Sequence, residues 1–114
     1  LEAARKKFPN QYIWLIFQPH MFSRTKGLFK EFVEVFKKLP VNHTLIMDIY
    51  PSREVDTGLI SSKEMADAVG NSNMNYISNW SGLKKIIDSE THPGHILFFM
   101  GAGDIDQMAR ALLS

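Results

Sequence analysis

The sequence predicts an α/β domain in which helices cover both faces of a mostly parallel sheet. Apolar runs at residues 12–17, 44–50 and 95–100 lack polar alternation, which is typical of strands buried on both faces. The segments between these runs repeat apolar residues every three or four positions, as amphipathic helices do. Because 114 residues is the length of one domain, we expect a single three-layer, Rossmann-like unit spanning residues 1–114.

In the first half of the chain, local stop signals separate the predicted elements. Residues 1–8 are predicted to form a helix that ends at Pro9, and residues 12–17 follow as the first strand. A strongly amphipathic helix is expected from near Lys26 to Leu39, closed by Pro40. The second strand, at residues 44–50, ends at Pro51.

The second half begins with a capping box, because Glu64 follows Ser61 by three residues and opens a helix through Val69. Residues 75–77 are a candidate short strand, and Ser81 is a candidate cap for a helix reaching about Ser89. A strand at residues 95–100 and a helix at residues 104–113 complete the chain. Parallel strands in this order would place their carboxyl ends at one edge of the sheet.

Composition excludes several classes of protein. Thirteen basic and twelve acidic side chains leave a net charge of +1. This balance argues against a nucleic-acid-binding domain, which would carry a basic stripe, and against a polybasic membrane anchor. The absence of cysteine rules out disulfides, thiolate zinc sites and cysteine nucleophiles. No apolar run approaches the ~18 residues that span a bilayer, and a cytoplasmic location is expected.

Polar residues gather where the first strand gives way to a helix. His20, Ser23, Arg24 and Thr25 follow the carboxyl end of the strand, which is where open α/β sheets bind ligands. Backbone N–H groups and a guanidinium at a helix amino terminus would favour a carboxylate or a phosphate. The residues alone allow an equal alternative, in which Ser23 is only an N-cap, Arg24 a solvated surface residue and His20 a turn residue.

Two further groups of residues follow later strands at the same predicted edge. Gly101, Gly103 and Asp104 precede the last helix, where glycines would let the backbone approach a ligand. Taken alone, these residues favour a tight turn capped by Asp104. Asp48 and Tyr50 end the second strand, and the carboxylate could face a ligand or bond to the neighbouring turn. The four histidines lack metal-ligand spacing and no phosphate loop is present, so no metal site is predicted.

Residues 16–26, Ile-Phe-Gln-Pro-His-Met-Phe-Ser-Arg-Thr-Lys, resemble the Val-Phe-Gln-Pro-His-Arg-Tyr-Thr-Arg-Thr segment of the Mur ligases, in the form that the alanine-adding members carry. The resemblance continues through Asp-Ile-Tyr at 48–50 and Met-Gly-Ala-Gly-Asp-Ile at 100–105. Three motifs in the same order and spacing cover nearly the whole chain, which makes the resemblance more specific than any single motif.

The resemblance implies the third, carboxy-terminal domain of a three-domain ligase that adds L-alanine to UDP-N-acetylmuramate in peptidoglycan precursor synthesis. Such ligases use ATP to activate a carboxylate as an acyl phosphate, which the amine of the amino acid attacks. The amino-terminal domain would hold the UDP-sugar and the central domain ATP and Mg²⁺, so this domain would be inactive alone. The start at Leu1, already inside a predicted helix, fits an excised piece of such a chain.

By position, the resemblance implies that His20 and Arg24 line the alanine and product end of the site, supported by Ser23 and Thr25. The chain departs from the family at Met21, where arginine is frequent, and thereby loses a second cationic contact. Two alternatives from other classes stay open. One is a stand-alone α/β module that binds a small anion or nucleotide; the other is a non-catalytic interaction domain in which both junctions are only tight turns.

Overall fold

A parallel sheet with helices on both faces organises the chain. The computed structural model describes residues 2–19, 22–49, 61–71 and 73–101. The helices in these ranges are α1 (Glu2–Lys7), α2 (Phe22–Gly27), α3 (Phe29–Lys38), α4 (Ser62–Val69) and α5 (Trp80–Glu90). The strands are β1 (Ile13–Gln18), β2 (His43–Met47), β3 (Met74–Ile77) and β4 (Ile96–Gly101), and they pair in parallel in the order β3-β2-β1-β4.

The connections place helices on opposite faces of the sheet. The chain steps from β1 to β2 to β3 in one direction and then returns to β4 on the other side of β1. Because such crossovers are right-handed, α3 and α4 cover one face and α5 covers the other.

Each face has its own hydrophobic cluster. One cluster joins β1 and β2 to α3 and α4 and includes Ile13, Leu15, Ile46, Val33, Phe36, Met65 and Val69. The other joins the opposite side of the same strands to α5 and includes Trp14, Ile16, Leu45, Met47 and Leu83. Since both strands are apolar on both sides, they are buried between the two helical layers, and the predicted three-layer α/β fold is confirmed.

The capping box and the short strand predicted in the second half of the chain are confirmed. The Oγ of Ser61 accepts a hydrogen bond from the backbone N–H of Glu64 at 3.2 Å, which caps α4. Gly70 ends that helix with φ of 71°, and its N–H bonds to the carbonyl oxygen of Ala66. The short strand predicted at residues 75–77 is β3.

Two helix boundaries differ from the sequence-based expectation. The helix predicted to start near residue 26 is two helices: α2 begins at Phe22, and Leu28 lies between α2 and α3, after the weak helix former Gly27. The cap of α5 is Asn79, not Ser81, because the Asn79 Oδ1 accepts the backbone N–H of Gly82 at 2.8 Å. The helix predicted at residues 104–113 lies outside the described residues.

Candidate functional site

The candidate site is the carboxyl edge of the sheet, where β1, β2 and β4 end. Gln18 and Gly101 are register partners, so β1 and β4 stop side by side. β2 ends at Met47, earlier than predicted, and Asp48 follows it directly. The parallel pairing therefore brings the ends of three strands together at the edge where α/β folds bind ligands.

The junction between β1 and α2 presents cations to solvent, and Arg24 is the first of them after the strand. Arg24 is exposed on α2, whereas the next residue, Thr25, is buried with 1% of its surface exposed. Ser23 is the second residue of α2 and lies in its first turn, so it is not the N-cap that the sequence suggested. His20 lies outside the described residues. The short helix thus places a guanidinium just beyond the end of β1.

Gln18 is a residue that the sequence analysis did not select. It is the last residue of β1 and is buried, with 7% of its surface exposed. Its side-chain Oε1 has no hydrogen-bond partner among the residues that the structure describes. A buried acceptor without a donor costs about 1–3 kcal/mol. The sequence feature that could have pointed to Gln18 is its polar amide at the end of a strand that is otherwise apolar.

Gly101 has a structural explanation at this edge. Its φ of 142° lies in a region that side chains other than hydrogen rarely allow. A Cβ at this position would overlap the backbone oxygen of Gln18 and lie 3.0 Å from its nitrogen. The close approach that this glycine permits is therefore to β1 itself. Gly103 and Asp104 lie outside the described residues.

Asp48 is held in place by a neighbouring strand. The hydroxyl of Tyr76, in β3, donates a hydrogen bond to the Asp48 Oδ1. The bond to Asp48, followed by burial and by the charge of the carboxylate, raises the pKa of Tyr76 to about 12. Asp48 is itself exposed, so its carboxylate can still meet a ligand. Tyr50, the other residue predicted on this strand, lies outside the described ranges.

Other kinds of site find little support in the described part of the chain. No three His, Asp or Glu side chains there come close enough together to hold a metal ion. No helix in those ranges is long and apolar enough to cross a bilayer. A cavity of about 420 Å³ lies between α4 and β3, lined in part by Lys63, Asp67, Asn71 and Tyr76, and its described lining includes none of the predicted site residues.

Comparison with known proteins shows relatives along the whole chain. The chain is 36% identical over 115 residues to the UDP-N-acetylmuramate–L-alanine ligase of Alkaliphilus metalliredigens, which covers 100% of this chain and 24% of the relative. It is 40% identical over 106 residues to the ligase of the same name from Clostridium tetani, covering 90% of this chain and 23% of that protein. No family model matches the chain.

A solved structure shares the fold. The crystal structure of UDP-N-acetylmuramate-alanine ligase MurC from Thermotoga maritima superposes with a TM-score of 0.65 over 98% of this chain and 22% of that chain. The two sequences are 23% identical over this match, so the likeness is evidence of the fold alone.

The chain therefore belongs to the Mur ligase family, as its motifs indicated. Within that family its relatives are UDP-N-acetylmuramate–L-alanine ligases. The chain spans about a quarter of the length of these relatives.

Proposed function

We propose that the chain is the carboxy-terminal, amino-acid-binding domain of an ATP-dependent ligase that joins L-alanine to UDP-N-acetylmuramate in peptidoglycan precursor synthesis. The observation that carries this proposal is an identity of 36–40% along at least 90% of the chain to ligases named for that reaction. Because the match covers only about a quarter of those ligases, catalysis would need the remaining domains, and this domain alone would be inactive.

The chemistry of the carboxyl edge supports binding of an amino acid. Alanine presents a carboxylate, and a guanidinium is the side chain best suited to bind one through two parallel hydrogen bonds. Arg24 is exposed on the helix that follows β1, and we assign it this role. His20, Ser23 and Thr25 would support it, and the further candidates for lining the cleft are Asp48, Tyr50, Gly101, Gly103 and Asp104.

ATP and Mg²⁺ would be bound elsewhere in the ligase. The sequence has no phosphate loop, and the described residues offer no cluster of acidic side chains for a divalent cation. This domain would instead close over the nucleotide and the UDP-sugar held by the other two domains. A cytoplasmic location follows from the proposed use of ATP and a UDP-linked precursor.

The test is Arg24→Ala in the full-length ligase. Loss of a hydrogen bond between charged groups costs about 1.5–3 kcal/mol, so the apparent affinity for alanine should fall roughly ten- to a hundredfold. The KM for alanine, from alanine-dependent phosphate release, measures this change, while the KM for ATP should stay close to the wild-type value. Lys30→Ala removes an exposed cation from α3 and is the matched control.

Wild-type alanine kinetics in the Arg24→Ala enzyme would show that Arg24 is only a solvated surface residue. Absence of alanine-dependent phosphate release in the wild-type ligase would contradict the proposed function as a whole. In that case the stand-alone binding module would become the leading interpretation, and binding of small anions to the 114-residue chain would test it.

A further inference from the structure

The unpartnered oxygen at the end of β1 points to a ligand. In the part of the chain that the structure describes, the Oε1 of Gln18 is the one buried side-chain nitrogen or oxygen that lacks a hydrogen-bond partner. Buried polar atoms in native proteins are almost always hydrogen-bonded, and exceptions call for an explanation. An acceptor oxygen is expected to lack a partner in the free protein when its hydrogen-bond donor belongs to a substrate.

The position of this oxygen is set by rigid structure. Gln18 belongs to one of the two inner strands of the sheet and pairs with Gly101 of β4 on one side. Gly101 has no side chain, so the two backbones can approach each other closely at this point. Pro19 follows Gln18 and is also buried, and its ring restricts the backbone at the exit from the strand. A side chain fixed on such an element holds a ligand more firmly than one on a loop.

We propose that the Oε1 of Gln18 accepts a hydrogen bond from the amino group of the amino acid that the ligase adds. This inference rests on the proposed function and names a further substrate-binding residue for it. A carboxamide oxygen is a neutral acceptor, so it selects an N–H donor and does not compete with Arg24 for the carboxylate. Gln18 would therefore bind one end of alanine while Arg24 binds the other.

The competing explanation is a donor from the chain itself, and the two explanations differ in the sign of a stability change. Gln18→Met replaces the carboxamide by an apolar side chain of similar length. If the oxygen is empty in the free protein, this change removes a buried unpaired acceptor, and the melting temperature of the 114-residue chain should stay the same or rise. If a donor of the chain satisfies the oxygen, the melting temperature should fall.

The functional arm uses the full-length ligase with Gln18→Met. The expected result is a KM for alanine raised roughly ten- to a hundredfold, with the KM for ATP unchanged. Gln11→Met is the matched control, since it makes the same chemical change to an exposed glutamine just before the other end of β1. Gln18→Glu keeps an acceptor oxygen and should bring the KM for alanine back towards the wild-type value.

The outcomes are distinct. A lower melting temperature for Gln18→Met but not for Gln11→Met would overturn the inference, and so would an unchanged KM for alanine in a well-folded Gln18→Met ligase. Either result would leave the proposed function standing, provided that the wild-type ligase releases phosphate in response to alanine. A wild-type ligase that does not respond to alanine would overturn the proposed function and this contact together.

Discussion

The polar side chains at the two edges of the sheet differ in their hydrogen bonding. At the amino edge, the guanidinium of Arg5 donates to the carbonyl oxygens of Pro40 at 2.9 Å and Gln11 at 2.8 Å, and to the Asn42 Oδ1 at 2.7 Å. The same Asn42 oxygen accepts the backbone N–H of Ile13 at 2.8 Å. These bonds connect α1, the start of β1 and the loop before β2, so the polar groups of this edge serve the fold.

A row of rings and amides continues the amino edge across all four strands. The indole N–H of Trp14 donates to the His95 Nδ1 at 3.1 Å, and Tyr12 stacks on the same imidazole at 4.8 Å. On the other side, Trp14 stacks on His43 at 4.6 Å, and the His43 Nε2 lies 2.7 Å from the Asn75 Oδ1. Each ring in this row contacts a neighbour, which leaves no buried polar atom of the row for a ligand.

The carboxyl edge is less complete. Gln18 has a buried side-chain oxygen without a partner among the described residues, and Arg24 and Asp48 are exposed, although Tyr76 holds Asp48. A protein tolerates unsatisfied polar groups where function requires them and satisfies them elsewhere. The contrast indicates that the amino edge stabilises the domain, and it fits the proposal that the carboxyl edge binds a substrate.

The largest expected effect on stability comes from Gly101, where β4 packs closely against β1 at the carboxyl edge. Gly101→Ala would place a Cβ against the backbone of Gln18 at a φ of 142°, so backbone strain and overlap would add. We expect the free energy of unfolding to fall by roughly 2–5 kcal/mol, measured by urea denaturation.

Gly27→Ala is the control for this substitution, because nothing lies within 4 Å of a Cβ at that helical position. It should be neutral or slightly stabilising. Equal stabilities for the two alanine variants would mean that β1 and β4 do not approach each other as closely as the structure shows.

A smaller loss is expected at the amino edge. Arg5→Ala removes three hydrogen bonds of 2.9 Å or shorter that link α1 to two other segments. Because the guanidinium is only partly buried, we expect a loss of about 1–3 kcal/mol in the free energy of unfolding. Arg5→Lys should not restore it, since an ammonium lacks the planar fork that reaches several acceptors.

Lys6→Ala, an exposed neighbour on the same helix, provides the control and should change stability by less than about 0.5 kcal/mol. In the full-length ligase, Arg5→Ala should leave the KM for alanine unchanged. A raised KM for alanine in a well-folded Arg5→Ala enzyme would contradict the division of roles between the two edges.

The sequence predicted the elements that depend on local pattern. Apolar runs identified β1 and β4, and the capping box placed the N-cap of α4 at Ser61. Ser81 was predicted as the cap of α5, whereas the cap is Asn79, and local pattern could mistake one for the other because both are good capping residues two positions apart. The split at Leu28 was missed because the apolar pattern of α3 hid the earlier turn of helix.

The contacts of the candidate site were not predictable from local pattern. The bond between Tyr76 and Asp48 requires the register of β2 with β3, which pairs Ile46 with Tyr76. The unpartnered oxygen of Gln18 depends on burial by elements far away along the chain. The motif drew attention to this edge through its resemblance to a family, but the sequence could not show which of its polar side chains already have a partner.

The smallest expected effect concerns the Asp48–Tyr76 pair, a hydrogen bond between two side chains at the carboxyl edge. The pKa of Tyr76 is about 12 in the folded protein, against 10.0 for an unperturbed tyrosine, so folding favours the neutral phenol. The unfolded chain therefore releases this proton at a lower pH than the folded protein does. The stabilisation is fully present below about pH 10 and is lost as the pH rises towards 12.

Tyr76→Phe should remove this dependence at little cost near neutral pH. Since the pair is partly exposed, we expect a loss of less than about 1 kcal/mol in the free energy of unfolding. Ultraviolet titration of tyrosinate should show that the last phenol to ionise in the wild-type chain is absent from Tyr76→Phe and present in Tyr12→Phe. If the last phase survived in Tyr76→Phe, Asp48 would not be tied to β3, and its carboxylate would join Arg24 as an exposed side chain of the carboxyl edge with no such bond to the sheet.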